Sequence, residues 1–169
     1  MKKTVVVLLL FAATVIGVGD AAAGEYRLGA GVNYWVAMDD IDIEGRNIDE
    51  NGIGYFVSYQ YWENILGVEM DLEFLPDRFG DSAVAPQAFM LIGKSIYGGL
   101  GIGAVYTDGE FADKAFYALR AGFNFELLPG IYTDIYGIYR FNDTAELDNV
   151  SEDIDTDTVF LGAAVRFSF

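Results

Sequence analysis

The stretch from Val68 to Phe74 reads V-E-M-D-L-E-F, with an acidic residue at every second position and a large apolar residue on either side. Successive side chains of a β-strand point to opposite faces, so this alternation predicts a strand with two unlike faces. One face carries only apolar side chains, and the other carries Glu69, Asp71 and Glu73. The fold must therefore separate an apolar environment from one that holds three carboxylates.

Alternating runs of this kind recur after residue 24, without a convincing helical period or heptad. They predict eight strands, at residues 25–38, 50–62, 66–75, 84–94, 96–107, 115–127, 131–142 and 157–169. Most of these are longer than the ~5–6 residues of an ordinary strand and match the ~9–11 residues that cross a bilayer at a tilt. The pattern therefore favours an all-β, membrane-crossing chain.

The connections between the predicted strands alternate in length. Three are tight, at residues 63–65, 94–95 and 128–130. The other four are longer and acidic, at residues 39–49, 76–83, 108–114 and 143–156. Short turns at one rim and longer loops at the other are typical of an up-and-down membrane barrel.

The first residues have the organisation of a secretory signal peptide. Two lysines precede an apolar run over residues 4–19, and three alanines at 21–23 form a small-residue cleavage site. The apolar run is shorter than the ~20 residues that a spanning helix needs. We therefore expect residues 1–23 to be removed on export and residues 24–169 to form a single domain.

Composition narrows the classes of function. The chain has 26 acidic and 10 basic residues, a formal net charge of −16, which disfavours a nucleic-acid-binding protein. It contains no histidine and no cysteine. A Ser-His-Asp catalytic arrangement and disulfides are therefore excluded, and we expect neither enzymatic activity nor a cofactor.

The two faces of the predicted strands differ in composition. One face of the strands at 25–38, 50–62, 115–127 and 157–169 is apolar and uninterrupted by charge. The opposite face is rich in glycine and small polar residues, and its large members are Trp35, Phe56, Trp62, Phe116, Tyr132 and Phe160. Such a face suits a crowded interior, so we interpret the apolar face as lipid-facing, the reverse of a soluble barrel.

Outward aromatic residues fall toward both ends of the strands. Those toward the long loops are Tyr34, Tyr55, Phe74, Tyr106, Tyr117 and Phe141. Those toward the short turns are Tyr26, Tyr61, Phe125 and Phe169. Two aromatic belts around an aliphatic waist indicate two membrane interfaces.

The last strand ends in Val165-Arg166-Phe167-Ser168-Phe169, with apolar residues at every second position. This ending resembles the terminal strand of outer-membrane β-barrels, and the pattern of residues 24–169 resembles the small eight-stranded class typified by the OmpA transmembrane domain, OmpX and OmpW. The resemblance implies an eight-stranded antiparallel up-and-down transmembrane β-barrel in the outer membrane of a Gram-negative bacterium, reached by export through the inner membrane. It also implies a monomer among lipid and lipopolysaccharide, with Val165, Phe167 and Phe169 as the signal for the barrel assembly machinery.

Turning the apolar faces outward places the three acids of the strand at 66–75 in the lumen, because carboxylates against lipid are costly. The same parity predicts a lumen charge network of Arg27, Glu69, Asp71, Glu73, Arg120, Glu126, Asp134, Arg140 and Arg166. The third and seventh strands of an eight-stranded ring lie opposite each other. We therefore expect Arg120 and Arg140 to reach across to the acids of the third strand, a role that the permanently charged guanidinium suits.

Most of the excess negative charge lies in the longer connections. The candidate cation-binding residues of the first and last of them are Asp39, Asp40, Asp42, Glu44, Asp148, Glu152, Asp153 and Asp155. Three of these match the opening of an EF-hand loop, but its twelfth position is Asn51 and no helices flank it, so no specific metal site is expected. Diffuse binding of divalent cations, or simple solvation of an acidic rim, are the alternatives.

An eight-stranded barrel is only just wide enough for side chains to fill it. We therefore predict a largely filled lumen and a structural or surface-interaction role through the acidic loops, as the resemblance to OmpX implies. The alternative is a narrow channel for small solutes, as in OmpW-like barrels, with Pro86 marking a gap in the wall; we favour Pro86 as a strand end. A lipid-modifying enzyme is the least favoured class, because the chain lacks histidine.

Overall fold

The computed structural model describes residues 24–38, 50–78, 81–107, 110–112, 114–145 and 154–169. The strands are Glu25–Ala37 (β1), Asn51–Glu63 (β2), Leu66–Arg78 (β3), Asp81–Gly93 (β4), Ile96–Gly103 (β5), Tyr106–Thr107 (β6), Glu110–Phe111 (β7), Phe116–Leu128 (β8), Ile131–Ala145 (β9) and Ile154–Ser168 (β10). No helix within these ranges is long and apolar enough to cross a membrane. Residues 1–23 lie outside the described part of the chain, so the signal peptide stays a prediction.

The eight long strands close into a barrel. They pair antiparallel in the order β1, β2, β3, β4, β5, β8, β9 and β10, and β10 pairs with β1. The short strand β6 extends the wall beyond β5 by pairing with β4, and β7 folds back onto β6. Closure leaves the main wall without an open edge, and the predicted eight-stranded antiparallel up-and-down barrel is confirmed.

The predicted long connection at 76–83 is wrong. β3 continues to Arg78, β4 begins at Asp81, and these two residues pair with each other, so only residues 79 and 80 lie between the strands. A register shift between Leu75 and Arg78 breaks the period-two pattern there. The continuation of the strand could therefore not be predicted from alternation. β9 and β10 also pair beyond their predicted ends.

Pro86 lies inside β4 and not at its end, so the strand-end interpretation of this proline is also wrong. It pairs with Leu72 of β3, and on its other side its carbonyl accepts a hydrogen bond from the backbone amide of Ala104 at 3.1 Å. β5 ends at Gly103 and β6 begins at Tyr106. The proline, which donates no ladder bond, therefore faces the interruption between β5 and β6.

The barrel turns its apolar side chains outward. On β3, Val68 and Phe74 are 44% and 41% exposed, whereas Glu69 and Glu73 are fully buried. The same alternation runs around the wall, where the exposed aliphatic side chains include Leu28, Val32, Met90, Leu100, Ile135 and Leu161. An apolar exterior around a charged interior is the reverse of the arrangement in a water-soluble protein.

Aromatic side chains flank this aliphatic waist at both ends. At the short-turn end, the ring of Tyr26 lies 5.0 Å from that of Tyr61 and 6.2 Å from that of Phe169, measured between centroids. At the other end, Tyr55 and Tyr117 are both more than half exposed on the outer surface. Amphipathic rings in these two positions suit the headgroup regions of a bilayer.

Glycines make room for the aromatic rings of the interior. Most of these rings lie in register opposite a glycine of the next strand, as in the pairs Phe56 and Gly31, Trp35 and Gly52, Trp62 and Gly67, Phe89 and Gly101, Phe116 and Gly103, and Tyr136 and Gly162. A Cβ at any of these glycines would lie 2.3–2.8 Å from the nearest atom of its ring. The rings therefore occupy the space that the absent side chains leave.

We predict that Gly31→Ala lowers the free energy of unfolding by about 1–3 kcal/mol, the usual cost of overpacking a core. The added Cβ would lie 2.3 Å from the backbone oxygen of Ala163 and 2.4 Å from the ring of Phe56. Gly137→Ala is the matched control, because its nearest neighbour would be 3.8 Å away. Denaturant unfolding of the barrel in detergent micelles measures both; equal losses would contradict the packing argument.

Candidate functional site

Two arginines and two carboxylates form a closed ring in the middle of the barrel. Arg120 lies 3.1 Å from Oε2 of Glu69 and 3.1 Å from Oδ2 of Asp134. Arg166 bridges the same two carboxylates, at 2.6 Å from Oε1 of Glu69 and 2.6 Å from Oδ2 of Asp134. We call these four residues the central ring. Each charge in it faces two charges of opposite sign, which compensates the cost of burial.

The strand order explains how the central ring spans the lumen. Glu69 lies on β3, and Asp134 lies on β9, the strand opposite β3 in the barrel. Arg120 on β8 and Arg166 on β10 flank Asp134 from the two strands beside β9. All four residues occupy inward positions and are at most 2% exposed. The ring therefore ties one wall of the barrel to the other.

Neutral polar side chains complete the hydrogen bonding of the central ring. The hydroxyl of Tyr97 donates to Asp134 at 2.9 Å and accepts from Nε of Arg120 at 3.1 Å. Nε2 of Gln60 donates to Glu69 at 2.6 Å. The sequence does not indicate that Tyr97 and Gln60 belong to the site, because strand parity gives the direction of a side chain but an uncharged side chain does not indicate its partner.

A second set of inward side chains surrounds Arg140. We call Arg140, Glu73, Gln87 and Asn33 the Arg140 group. Nη2 of Arg140 donates to Glu73 on the opposite wall and, at 3.1 Å, to Oε1 of Gln87. Asn33 also donates from Nδ2 to Glu73, at 2.5 Å, and its Oδ1 accepts from the hydroxyl of Tyr136 at 2.8 Å. Arg140 and Arg120 thus both reach the acids of β3 from the far side of the barrel.

Aromatic faces cover the guanidinium groups. Cζ of Arg120 lies 3.7 Å from the centroid of the Tyr136 ring. Cζ of Arg140 lies 3.9 Å from that of Phe160 and 4.4 Å from that of Phe116. These cation–π contacts lie within the buried interior and add to the stabilisation of the cations there.

Asp71 is the buried acid with the weakest compensation. Its Oδ2 lies 3.5 Å from Nη1 of Arg120, and its Oδ1 accepts no hydrogen bond from any residue in the described ranges. Its residue exposure is 1%. Together with Glu69 and Asp134 of the central ring, Asp71 brings the number of carboxylates to three. The central ring has only two guanidinium groups, so this part of the lumen carries one excess acid.

Two residues of the predicted lumen network lie apart from these groups. Arg27 pairs with Glu25 of its own strand at 2.9 Å, and Glu126 is exposed and accepts a hydrogen bond from the backbone amide of Gly130 at 2.8 Å. Both lie near the short turns. The prediction placed them in the network because parity fixes the face of a residue but not its depth in the barrel, and a register shift after Glu126 further interrupts the pattern.

Arg78 lies inside the barrel, although it was not predicted to do so. The sequence pattern predicts that Arg78 lies in the connection at 76–83, whereas it lies at the end of β3 and is 2% exposed. Its Cζ lies 5.9 Å from the ring of Trp35. The register shift after Leu75 turns Arg78 inward, so a strict alternation could not have found it.

The candidate cation-binding residues are not placed by the structure. Asp39, Asp40, Asp42, Glu44, Asp148, Glu152 and Asp153 lie outside the described residues, and Asp155 is described only as part of the backbone of β10. Within the described ranges, no group of three or more acidic residues is arranged to hold a metal ion. Cation binding by the loops stays a prediction.

The residues of the predicted assembly signal lie on the outer face of the barrel at its last strand. Val165, Phe167 and Phe169 are 44%, 56% and 74% exposed. Phe167 pairs in register with Leu28 of β1, so this segment helps to close the barrel. Its recognition by assembly machinery stays a prediction.

We predict that Arg120→Leu destabilises the barrel far more than Arg27→Leu. The first change leaves Glu69, Asp71 and Asp134 short of a buried partner, which costs about 3–5 kcal/mol. The second removes a single pair near a rim. Denaturant unfolding compares the two variants, and similar losses would show that the lumen acids are compensated in another way.

We further predict that Asp71→Asn leaves the free energy of unfolding unchanged or raises it, while Glu69→Gln lowers it by about 3 kcal/mol. Among the residues that the structure describes, Asp71 has one ion-pair contact, at 3.5 Å, and replacing it removes the excess carboxylate. Glu69 faces both arginines of the central ring and Gln60. A large loss in the Asp71 variant would refute the excess-charge argument.

Comparisons with known proteins bear on the fold. No family model matches the chain, and no curated protein matches its sequence. Neisserial surface protein A is similar in structure, at a TM-score of 0.56 and 14% identity over 89% of this chain and 100% of that one. OprG from Pseudomonas aeruginosa matches at 0.53 and 15% over 86% and 97%, and the outer membrane protein AlkL at 0.53 and 12% over 89% and 92%. The fold of this chain is that of the small eight-stranded outer-membrane barrels.

Proposed function

We propose that the chain is an integral outer-membrane barrel with a closed lumen, and that it serves a structural or surface-interaction role through its acidic loops. The packing of the interior carries the proposal. The central ring, the Arg140 group and their hydrogen-bond partners come from every barrel strand, and each of these residues is at most 5% exposed. A lumen filled from wall to wall leaves the rims for interaction with other molecules.

The outer surface supports the membrane location. A band of exposed aliphatic side chains lies between aromatic side chains at both ends, as lipid and its two interfaces require. In such barrels the short turns face the periplasm and the longer loops face outward. The acidic loops of this chain would then meet lipopolysaccharide, whose anionic groups they would bind through bridging divalent cations. We expect the barrel to act as a monomer.

The alternative, a narrow channel for small solutes, has its strongest support at Pro86, which faces the interruption between β5 and β6. The neighbouring inward side chains argue for a closed wall at this place. Ala85 and Val105 are 0% and 2% exposed, and the amide of Ala104 still bonds to the carbonyl of Pro86. The closed barrel is therefore the function that the geometry supports better.

We predict that the refolded chain, without residues 1–23, gives no steady conductance steps in a planar bilayer. Heat-dependent migration in SDS gels would confirm folding in the same sample, because a closed barrel resists SDS until it is boiled. Arg140→Ala is the companion variant, since it removes a side chain that crosses the lumen. Reproducible steps in the unchanged protein, altered in the variant, would overturn the closed barrel in favour of a channel.

A further inference from the structure

A cavity of about 520 Å³ opens at the short-turn end of the barrel. Its walls come from β1, β2, β8 and β9 and from the two turns at 64–65 and 94–95. The volume lies within the ~300–1,000 Å³ that small-molecule sites occupy. The cavity lies at the rim opposite the acidic loops, so it is independent of the role proposed for them.

One wall of this cavity is already organised. Nε and Nη2 of Arg27 donate to the two oxygens of Glu25 at 3.0 and 2.9 Å. The guanidinium carbon of Arg27 lies 3.5 Å from the centroid of the Tyr132 ring and 5.8 Å from that of Trp62. The wall is therefore internally neutralised and partly aromatic.

Three other lining residues keep polar groups unused. The side-chain amide of Asn124, which is 5% exposed, forms no hydrogen bond with any residue that the structure describes. Lys94 forms no ion pair within the same ranges, although Glu126 lines the same cavity. Glu126 uses Oε1 to accept from the amide of Gly130 and leaves Oε2 available. An amide that lines a cavity and is not bonded to the described protein can donate to, and accept from, a polar ligand there.

We propose that this cavity binds a short peptide with free termini. The lining carries two cations, Arg27 and Lys94, and two anions, Glu25 and Glu126, so its formal charge is balanced and favours a zwitterion over a singly charged ligand. Lys94 binds the terminal carboxylate, and Glu126 binds the terminal ammonium. Asn124 offers both a donor and an acceptor to a peptide group, and the aromatic wall contacts the side chains.

The test is calorimetric titration of trialanine into the refolded barrel in detergent. We expect saturable binding with a Kd below about 1 mM. Trialanine acetylated at its amino end and amidated at its carboxyl end, which lacks both charges, should bind at least tenfold more weakly. Lys94→Gln and Glu126→Gln should each weaken trialanine binding at least tenfold, and Asn124→Ala should weaken it as well, while heat-dependent migration in SDS gels stays unchanged.

Glu63→Gln is the matched control. Glu63 is an exposed acid at the end of β2 on the same rim, but it does not line the cavity, so its replacement should leave trialanine binding unchanged. Absence of saturable binding by the folded protein would overturn the proposal. Equal binding of the capped peptide would also overturn it. An equal loss of binding in the Glu63 and Glu126 variants would overturn it too, because binding would then depend only on the overall charge of the rim.

Discussion

The ion pairs of Arg120 and Arg166 with Glu69 and Asp134 determine much of the rest of the structure, because they join strands on opposite walls of the barrel. A buried ion pair adds little net stability over an apolar pair, yet losing one partner is costly. Such a group therefore acts mainly as a constraint on register. Sliding β3 by one residue would remove Glu69 from the central ring and turn its acids toward the apolar exterior.

The charged middle also needs a way to exclude water, and the glycine and aromatic pairs supply it. A narrow barrel has little room for side chains from all of its strands. Where a ring such as Phe89 lies over Gly101 of the next strand, one side chain fills the space of two positions. The glycine-rich inner face is thus the counterpart of the large rings, and the rings in turn cover the guanidinium groups of Arg120 and Arg140.

The sequence was sufficient to predict the barrel and the direction of most side chains, because both follow from period-two alternation. It could not give the depth of a residue, so Glu126 was grouped with acids that lie deeper in the lumen. It could not show irregularities of the strands either, and the shift after Leu75 concealed the inward position of Arg78. The partners supplied by Tyr97 and Gln60 depend on distances across the lumen, which no local pattern records.

A filled middle has a consequence for where this protein can act. Solutes have no path between the rims if the central ring and the Arg140 group stay closed. Each rim must then recognise its partners by its own charges. We propose that the loop rim, to which most of the acidic excess of the sequence belongs, binds cations or cation-bridged anionic lipid, and that the short-turn cavity, whose charges balance, binds a zwitterion. On these proposals the two rims, which differ in their electrostatics, serve two separate kinds of partner on the two sides of one closed barrel.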